Sequence, residues 1–489
     1  MPILIVVNNP KNWPLSIPGV DVVSARDYLT APQYSIARGI KLFNLCRSYR
    51  YQSTGYYVSL LASARGHKPI PDIITLRDMH SPAITRIISE DIEEDIQEKL
   101  NGIQSTEFEL SIYFGKNMAA KYDRLSLKLF NLFEAPMLRA RFEHHKKWEL
   151  VDIRPISTSE IPESHKQFVI EQAIKHFARP NRRSEKRENF PYELAILHDP
   201  TELAPPSDER ALKKFAKAAE SLGMETDFIT RDEFGRVAEY DALFIRTTTN
   251  VNHYTYQFGR RAEAEDLVVI DDPESIIRCS NKVYLAELLK RLKIPSPKTA
   301  VIHKDNLEEL YSKITYPCVL KLPDSSFSQG VIKVEDETSL YLQAEKFFGK
   351  SDLLIAQEYI PTTFDWRIGV LDRAPLYACK YYMARRHWQI IRKDETGKHH
   401  EGKVETLPIE KVPSKVIKMA LKATDAIGDG FYGVDIKQCG NSFYLIEVND
   451  NPNIEAGYED AVLKDQLYLK VMQTFLTRIK NKKSRQTSQ

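Results

Sequence analysis

YPCVLKLPDSSFSQGVIKV, Tyr316 to Val334, decides how the rest of the chain is read. It reads as a strand, a short polar loop and a second strand. Lys321 stands among Val319, Leu320 and Leu322, and an ammonium with apolar neighbours is costly unless an anion neutralises it. The loop Asp324 to Gly330 carries short side chains and ends in glycine, so its backbone N–H groups can approach phosphate oxygens. Ser326, Ser328, Gln329 and Gly330 are its candidate nucleotide contacts. No G-x-x-x-x-G-K-[ST] occurs, so a phosphate site here is not a P-loop. A lone lysine before a polar turn is ordinarily solvated; the weight comes from what accompanies it.

The 489 residues predict several domains. A hydrophobic content of 42%, a charged content of 28% and a net charge of +2 describe an ordinary globular chain, with no steering toward nucleic acid or membrane. No apolar run reaches the roughly 20 residues of a spanning helix. The start, MPILIVVNNPKNWP, lacks a basic region and a cleavage site, so it is read as a strand and not as a signal peptide. Five scattered cysteines with no CxxC pair predict reduced packing residues in a cytoplasmic protein. Self-association is left open.

The proline-bounded, charged segment 178–191 reads as a linker after an N-terminal domain, 1–177. A β-α-β alternation over 192–279 predicts a small open parallel α/β domain, with Ser207 capping its first helix. The third domain, 280–479, starts with Ser280 capping the next helix. Residues 480–489 read as a disordered tail. No internal repeat is evident.

In the last domain Glu447 and Asn449 lie two apart on a strand and share a face. A three-residue loop, Gly440 to Ser442, would pair position 439 with 443 and set Asp435 opposite Glu447. Three oxygen side chains on one patch, without His or Cys, favour a hard ion: Mg²⁺, with Mn²⁺ as the alternative. The competing reading is a solvated polar face. Lys282 in the first turn of its helix opposes the dipole, a conflict an anion would resolve. Gln357, Glu358, Tyr359 and Ile360 end an apolar strand, where backbone groups can meet an adenine edge. Asp365 beyond them can reach a ribose hydroxyl, and Arg367 can clamp a phosphate or carboxylate.

The ordered set (Lys282, Lys321 with its loop, Q-E-Y-I, D-x-R, Asp435, E-V-N and then Asn451-Pro452) resembles the ATP-grasp fold. More closely it resembles the RimK-type amino-acid ligases, over roughly 192–475. Residues 1–177 resemble the RimK-like ATP-grasp N-terminal domain, through strand-Asn-Asn-Pro and STGYYVSLLASARGHKPIP from Ser53. The resemblance implies an α/β protein in which an ATP-grasp fold of two α+β subdomains follows a small open parallel α/β domain and an additional N-terminal α/β domain. It implies that Lys282 and Lys321 hold ATP phosphates, that Glu358 and Tyr359 offer backbone to adenine, and that Asp365 binds ribose. Asp435, Glu447 and Asn449 would ligate Mg²⁺, with Arg367 and Lys321 as the catalytic pair. The segment around Lys380 to Ile391 departs from the family pattern, with Lys380, Arg385, Arg386, Trp388 and Gln389 as its candidates; Lys380, Arg385, Arg386 and, further on, Asn451 are the substrate-binding candidates. The implied activity is an ATP-dependent carboxylate–amine ligation through an acyl phosphate. It joins an amino acid, glutamate first among them, to a small molecule, a peptide or a protein terminus. The alternatives are an ATP-grasp phosphotransferase and a non-catalytic nucleotide-binding scaffold.

Overall fold

The computed structural model describes residues 3–13, 20–36, 40–79, 85–86, 88–89, 92–177, 190–306, 314–324, 330–384, 391–393 and 399–487. The chain divides into two compact units, Met1–Glu185 and Lys186–Gln489.

The first unit opens with a parallel sheet of β1 (Ile3–Val7), β2 (Val20–Ser24), β3 (Lys41–Asn44) and β4 (Lys68–Ile70), in the order β2-β1-β3-β4. Ser53 caps the helix Thr54–Ala64 that joins β3 to β4, its hydroxyl accepting from the Tyr56 amide. An antiparallel sheet, β5 (Glu107–Tyr113), β6 (Met137–His144) and β7 (Trp148–Pro155), follows. Its apolar side packs with the helices Glu93–Leu100 and Asp123–Phe133 around Trp148, Phe142 and Phe133.

The second unit begins with another parallel sheet: β8 (Tyr192–Leu197), β9 (Met224–Ile229), β10 (Ala242–Ile245) and β11 (Val268–Ile270), in the order β11-β10-β8-β9. Counted within each sheet, both orders are second-first-third-fourth. Ser53 and His253 stand at the N-caps of two eleven-residue helices, Thr54–Ala64 and Tyr254–Ala264, and each helix joins the third strand to the fourth. The two sheets therefore share one topology, which the sequence does not display as a repeat.

A four-stranded antiparallel sheet comes next, from β12 (Thr299–Ile302), β13 (Cys318–Lys321), β14 (Val331–Val334) and β15 (Leu354–Glu358), in the order β12-β15-β13-β14. The helix Glu337–Phe348 covers one face of it. The last large sheet joins β16 (Phe364–Leu371) and β17 (Ala374–Tyr382) to β20 (Val404–Leu407), β21 (Phe431–Cys439) and β22 (Ser442–Asn449). The short strands β18 (Ile391–Lys393) and β19 (His399–Glu401) pair with each other. The large sheet buries both faces. Trp366, Ile368, Val434 and Val448 pack with the helices Lys282–Arg291 and Ser414–Asp425. Leu371, Tyr377, Cys379 and Phe431, of the opposite parity, join the core of the parallel sheet and the C-terminal helix Asp465–Thr487.

Three boundary readings are corrected. Asp208, not Ser207, caps the helix Glu209–Ser221, accepting from the Ala211 amide at 2.9 Å. Asn281, not Ser280, caps Lys282–Arg291, because Ser280 ends a preceding helix, Pro273–Ser280, that sequence reasoning overlooked. The expected disordered tail is helical to Thr487: Lys482 donates to Asp266 at 2.8 Å, and Lys483 pairs with Asp241 at 2.8 Å. Among the described residues no helix is long and apolar enough to cross a membrane. All five cysteines are free, and Cys439 alone among them is exposed.

Candidate active site

The site grows from strand register. Asp365 pairs with Lys437 and Arg367 with Asp435 across β16 and β21. Asp435 in turn pairs with Glu447 across β21 and β22. The route to this last pair differs from the one the sequence implied. The turn is two residues, Gly440-Asn441, with Gly440 at φ 57, so Cys439 pairs with Ser442. That shorter loop would leave Asp435 out of register. A bulge at Ile446 inserts one residue and restores the pairing.

Arg367 grips Asp435 through two nitrogens, Nε and Nη2, the latter at 2.9 Å. Burial works against the guanidinium charge, but Asp435 holds its pKa well above the ordinary value. The Asp435 carboxyl sits above its usual range because burial outweighs that arginine. Gly433 makes room for the clamp: a Cβ there would lie 2.9 Å from Pro452 and 3.1 Å from Arg367. Asn449 Nδ2 donates to Asp435 Oδ2 and to the Gly433 carbonyl, both at 3.4 Å.

Two lysines arrive from other elements. Lys282, at the first position of its helix, meets Glu447 at 3.1 Å. Burial would raise the Glu447 pKa, but Lys282 and Lys321 hold it below the usual range. Lys321 is 9% exposed and donates to Gln357 Oε1 at 2.7 Å; Gln357 donates in turn to Thr299 at 3.1 Å. Burial pushes the Lys321 ammonium down to about 8, against the pull of Glu447.

Sequence reasoning missed Lys437. It donates to Asp365 at 2.8 and 3.0 Å and to Thr362 at 2.9 Å. The signal was present: D-x-R on one strand runs antiparallel to D-x-K on its neighbour, which gives two crossed ion pairs. At the hinge the Glu358 amide donates to the Lys298 carbonyl at 2.8 Å and the Tyr359 amide to Pro317 at 3.3 Å. Lys333 lies 4.5 Å from the Tyr359 ring centroid.

These groups line one cleft of about 340 Å³: Lys282, Lys321, Gln357 to Ile360, Asp365, Arg367, Asp435, Lys437, Glu447 and Asn449. Four cationic groups, Lys282, Lys321, Arg367 and Lys437, line this cleft among its carboxylates and offer contacts to a polyanion. Asp435, Glu447 and Asn449 form an all-oxygen donor set that fits a hard divalent ion whose remaining positions phosphate oxygens would fill.

The two described substrate candidates fall in different places: Asn451 lines the cleft and Lys380 does not. Lys380 pairs with Trp366, not with Arg367, so it lies on the opposite face, with Nζ 4.9 and 5.1 Å from the Phe364 and Trp366 rings. Asn451 has both ends of its amide engaged, accepting from Arg246 at 2.6 Å and donating to the Thr247 carbonyl at 2.7 Å. It braces the cleft wall. Gly330 ends the loop after β13 at φ 70. Ser326, Ser328, Gln329, Arg385 and Arg386 lie outside the described residues.

Residues 25–172 match the RimK-like ATP-grasp N-terminal domain and residues 279–464 the RimK-like ATP-grasp domain. An alpha-aminoadipate–LysW ligase, LysX, of Sulfolobus acidocaldarius is 30% identical over 222 residues, 44% of this chain and 76% of that protein. The chain belongs to the RimK-like ATP-grasp family. A probable alpha-L-glutamate ligase of Vibrio vulnificus is 26% identical over 231 residues, 46% of this chain and 73% of its own. Among solved structures, a D-alanine–D-alanine ligase of Bacillus anthracis aligns with TM-score 0.45 and 17% identity, over 60% of this chain and 99% of that one. This RimK-like chain is an ATP-dependent amino-acid ligase that forms an amide bond and uses ATP with a divalent metal ion.

Proposed function

We propose that the protein activates a carboxylate as an acyl phosphate and passes it to an amine, with glutamate as the first amino acid to test. The observation that carries this reading is the row Arg367–Asp435–Glu447, opposed strand by strand and joined to Lys282. Such a row places anion-binding and cation-binding groups side by side on a rigid sheet, which suits phosphoryl transfer by alignment and charge stabilisation. The name of the Vibrio relative supports glutamate.

In this reading Lys282 and Lys321 hold the phosphates, and Gln357 orients Lys321. The Glu358 carbonyl and the Ile360 amide take the adenine edge, because the Glu358 and Tyr359 amides are already bonded. Asp365 takes the ribose, sharing its carboxylate with Lys437. Asp435, Glu447 and Asn449 would hold Mg²⁺, which when bound offsets phosphate charge. Arg367 stabilises the acyl phosphate. The substrate's carboxylate oxygen bonds to the γ-phosphorus as ADP leaves. The amine nitrogen then bonds to the acyl carbon as phosphate leaves, and its proton passes to solvent.

Incubation with ATP, Mg²⁺ and defined amino-acid pools, glutamate first, tests this. ADP and free phosphate in equal amounts, with a new amide by mass spectrometry, is the expected result. ADP in no pool, or phosphate retained on the substrate, would overturn it.

A further inference from the structure

The face that carries Asp365 and Arg367 continues onto β17. Asp365 stands opposite Tyr381 and Arg367 opposite Cys379, so Tyr381 shares their side of the sheet. Tyr381 is buried and lines the cleft, and the Arg367 Cζ lies over its ring, 5.1 Å from the centroid. That is within reach of a cation–π contact, which is strongest where water is excluded. Two different contacts therefore hold the guanidinium. Asp435 takes Nε and Nη2, and the Tyr381 ring takes the group from another side. Among the described residues Nη1 makes no hydrogen bond, and Arg367 lines the cleft, so this nitrogen is left for a ligand.

The ring is itself fixed. Its hydroxyl donates to Glu459 Oε1, and Glu459 Oε2 accepts from the Glu455 amide at 2.7 Å. Glu459 is 3% exposed, so this bond is shielded from water. Two more hydroxyls tie the same segment to the sheet. Tyr377 donates to the Asn453 carbonyl at 3.3 Å and Thr406 to the Tyr458 carbonyl at 2.5 Å. The Asp435 fork fixes two nitrogens but leaves the guanidinium free to tilt about the line joining the two groups; a ring held against it limits that tilt. The ligation steps give neither Tyr381 nor Glu459 a part, yet the pair is built as a support for the one arginine that lines the cleft among the described residues.

We propose that Tyr381, anchored by Glu459, is a positioning residue: its ring sets the tilt of Arg367 so that Nη1 meets the acyl phosphate. This rests on the ligase reading, which places that intermediate at Arg367, and adds the group that aims the arginine. Loss of the ring leaves the nucleotide site intact and loosens the grip on the acyl phosphate alone.

The test uses the full chain, Mg·ADP, and acetonylphosphonate as an unreactive stand-in for an acyl phosphate, with affinities read by titration calorimetry. Wild type should bind the phosphonate in the presence of Mg·ADP. Tyr381→Leu removes ring and anchor and should weaken that binding by about thirtyfold, the worth of a desolvated cation–π contact, with Mg·ADP affinity within about twofold of wild type. Tyr381→Phe keeps the ring but loses the bond to Glu459, and should weaken phosphonate binding by about fivefold. A merely structural role would weaken both ligands alike. No phosphonate binding by wild type, Tyr381→Leu within about twofold of wild type, or an equal loss on Mg·ADP would overturn the proposal. Should Tyr381→Leu lose the native circular dichroism, Tyr381→Phe decides: an unchanged phosphonate affinity, or an equal loss on Mg·ADP, overturns it. The ligase reading is scored separately, since absence of ADP formation in every pool defeats that reading whatever the phosphonate shows.

Discussion

The two parallel sheets share strand order and the helix that links their third and fourth strands, yet different residues follow those strands. In the first unit, Asn44 ends β3 and bonds inward, to the Gly55 carbonyl at 2.7 Å and Ser59 at 2.9 Å. Buried Leu45 follows it. After β4 comes Pro71, whose carbonyl accepts from Ser59 at 2.7 Å. In the second unit Arg246 follows β10 and Asp271 follows β11, and the arginine reaches out to Asn451 and Pro452 just beyond β22. The architecture is common to both. The chemistry resides in the few edge residues that face another functional segment, as expected for an open parallel sheet, whose ligands bind at the carboxyl ends of its strands.

Substitutions can break this contrast, beginning with the largest effect. Glu447→Ala and Lys321→Ala should each lower ADP formation by about a hundredfold to a thousandfold, the scale set by removing a charge-stabilising group. Circular dichroism should stay native; full activity in either variant would remove that residue from the site. Arg246→Ala should cost about 2–4 kcal/mol, because it strands the Pro206 and Pro452 carbonyls and Asn451 in the interior. Asn44→Ala, at the end of β3 in the first unit, should cost less, about 1–2 kcal/mol, since it unpairs the Gly55 carbonyl, Ser59 and the Cys46 amide. Thermal melts of the two variants compare the edges directly. Lys482→Ala should change stability by under about 1 kcal/mol, because both partners of its ion pair are largely exposed.

A pH series sharpens the same comparison. Lys321 titrates near 8 in the free protein, below its ordinary 10.5. The nucleotide-bound form keeps the proton, so ATP binding should be strongest below that point and weaken as pH rises through about 8. For the free protein the sign is opposite: between about 8 and 10.5 the unfolded chain binds more protons, so this group adds stability as pH rises. Calorimetric titration with ATP from pH 7 to 9.5 checks the first statement, and a flat affinity would contradict it.

Much of the site was legible because its residues sit on strands, where spacing fixes the face. The Asp435–Glu447 pairing is an instructive case: the loop was read one residue too long, and the bulge at Ile446 added one back. Turn chemistry around Gly440 pointed to the shorter loop. Lys380 failed by the rule that placed Glu447 beside Asn449, for it has the parity of Trp366 and not of Arg367. Lys437 went unseen because D-x-K on β21 was not set against D-x-R on β16. The shared topology was hidden because two sheets of one strand order tolerate different apolar residues at each buried place. Arg246 gave no signal, since nothing in FIRTTTN tells a buried arginine from an exposed one.

The central claim is that a carboxylate, not water, attacks the γ-phosphate held on Lys282 and Lys321. Turnover in ¹⁸O-enriched water, with amino-acid pools and ATP, reads this from the released phosphate. The account predicts phosphate free of solvent oxygen, because its new oxygen comes from the substrate carboxylate. One solvent-derived ¹⁸O per phosphate would contradict it.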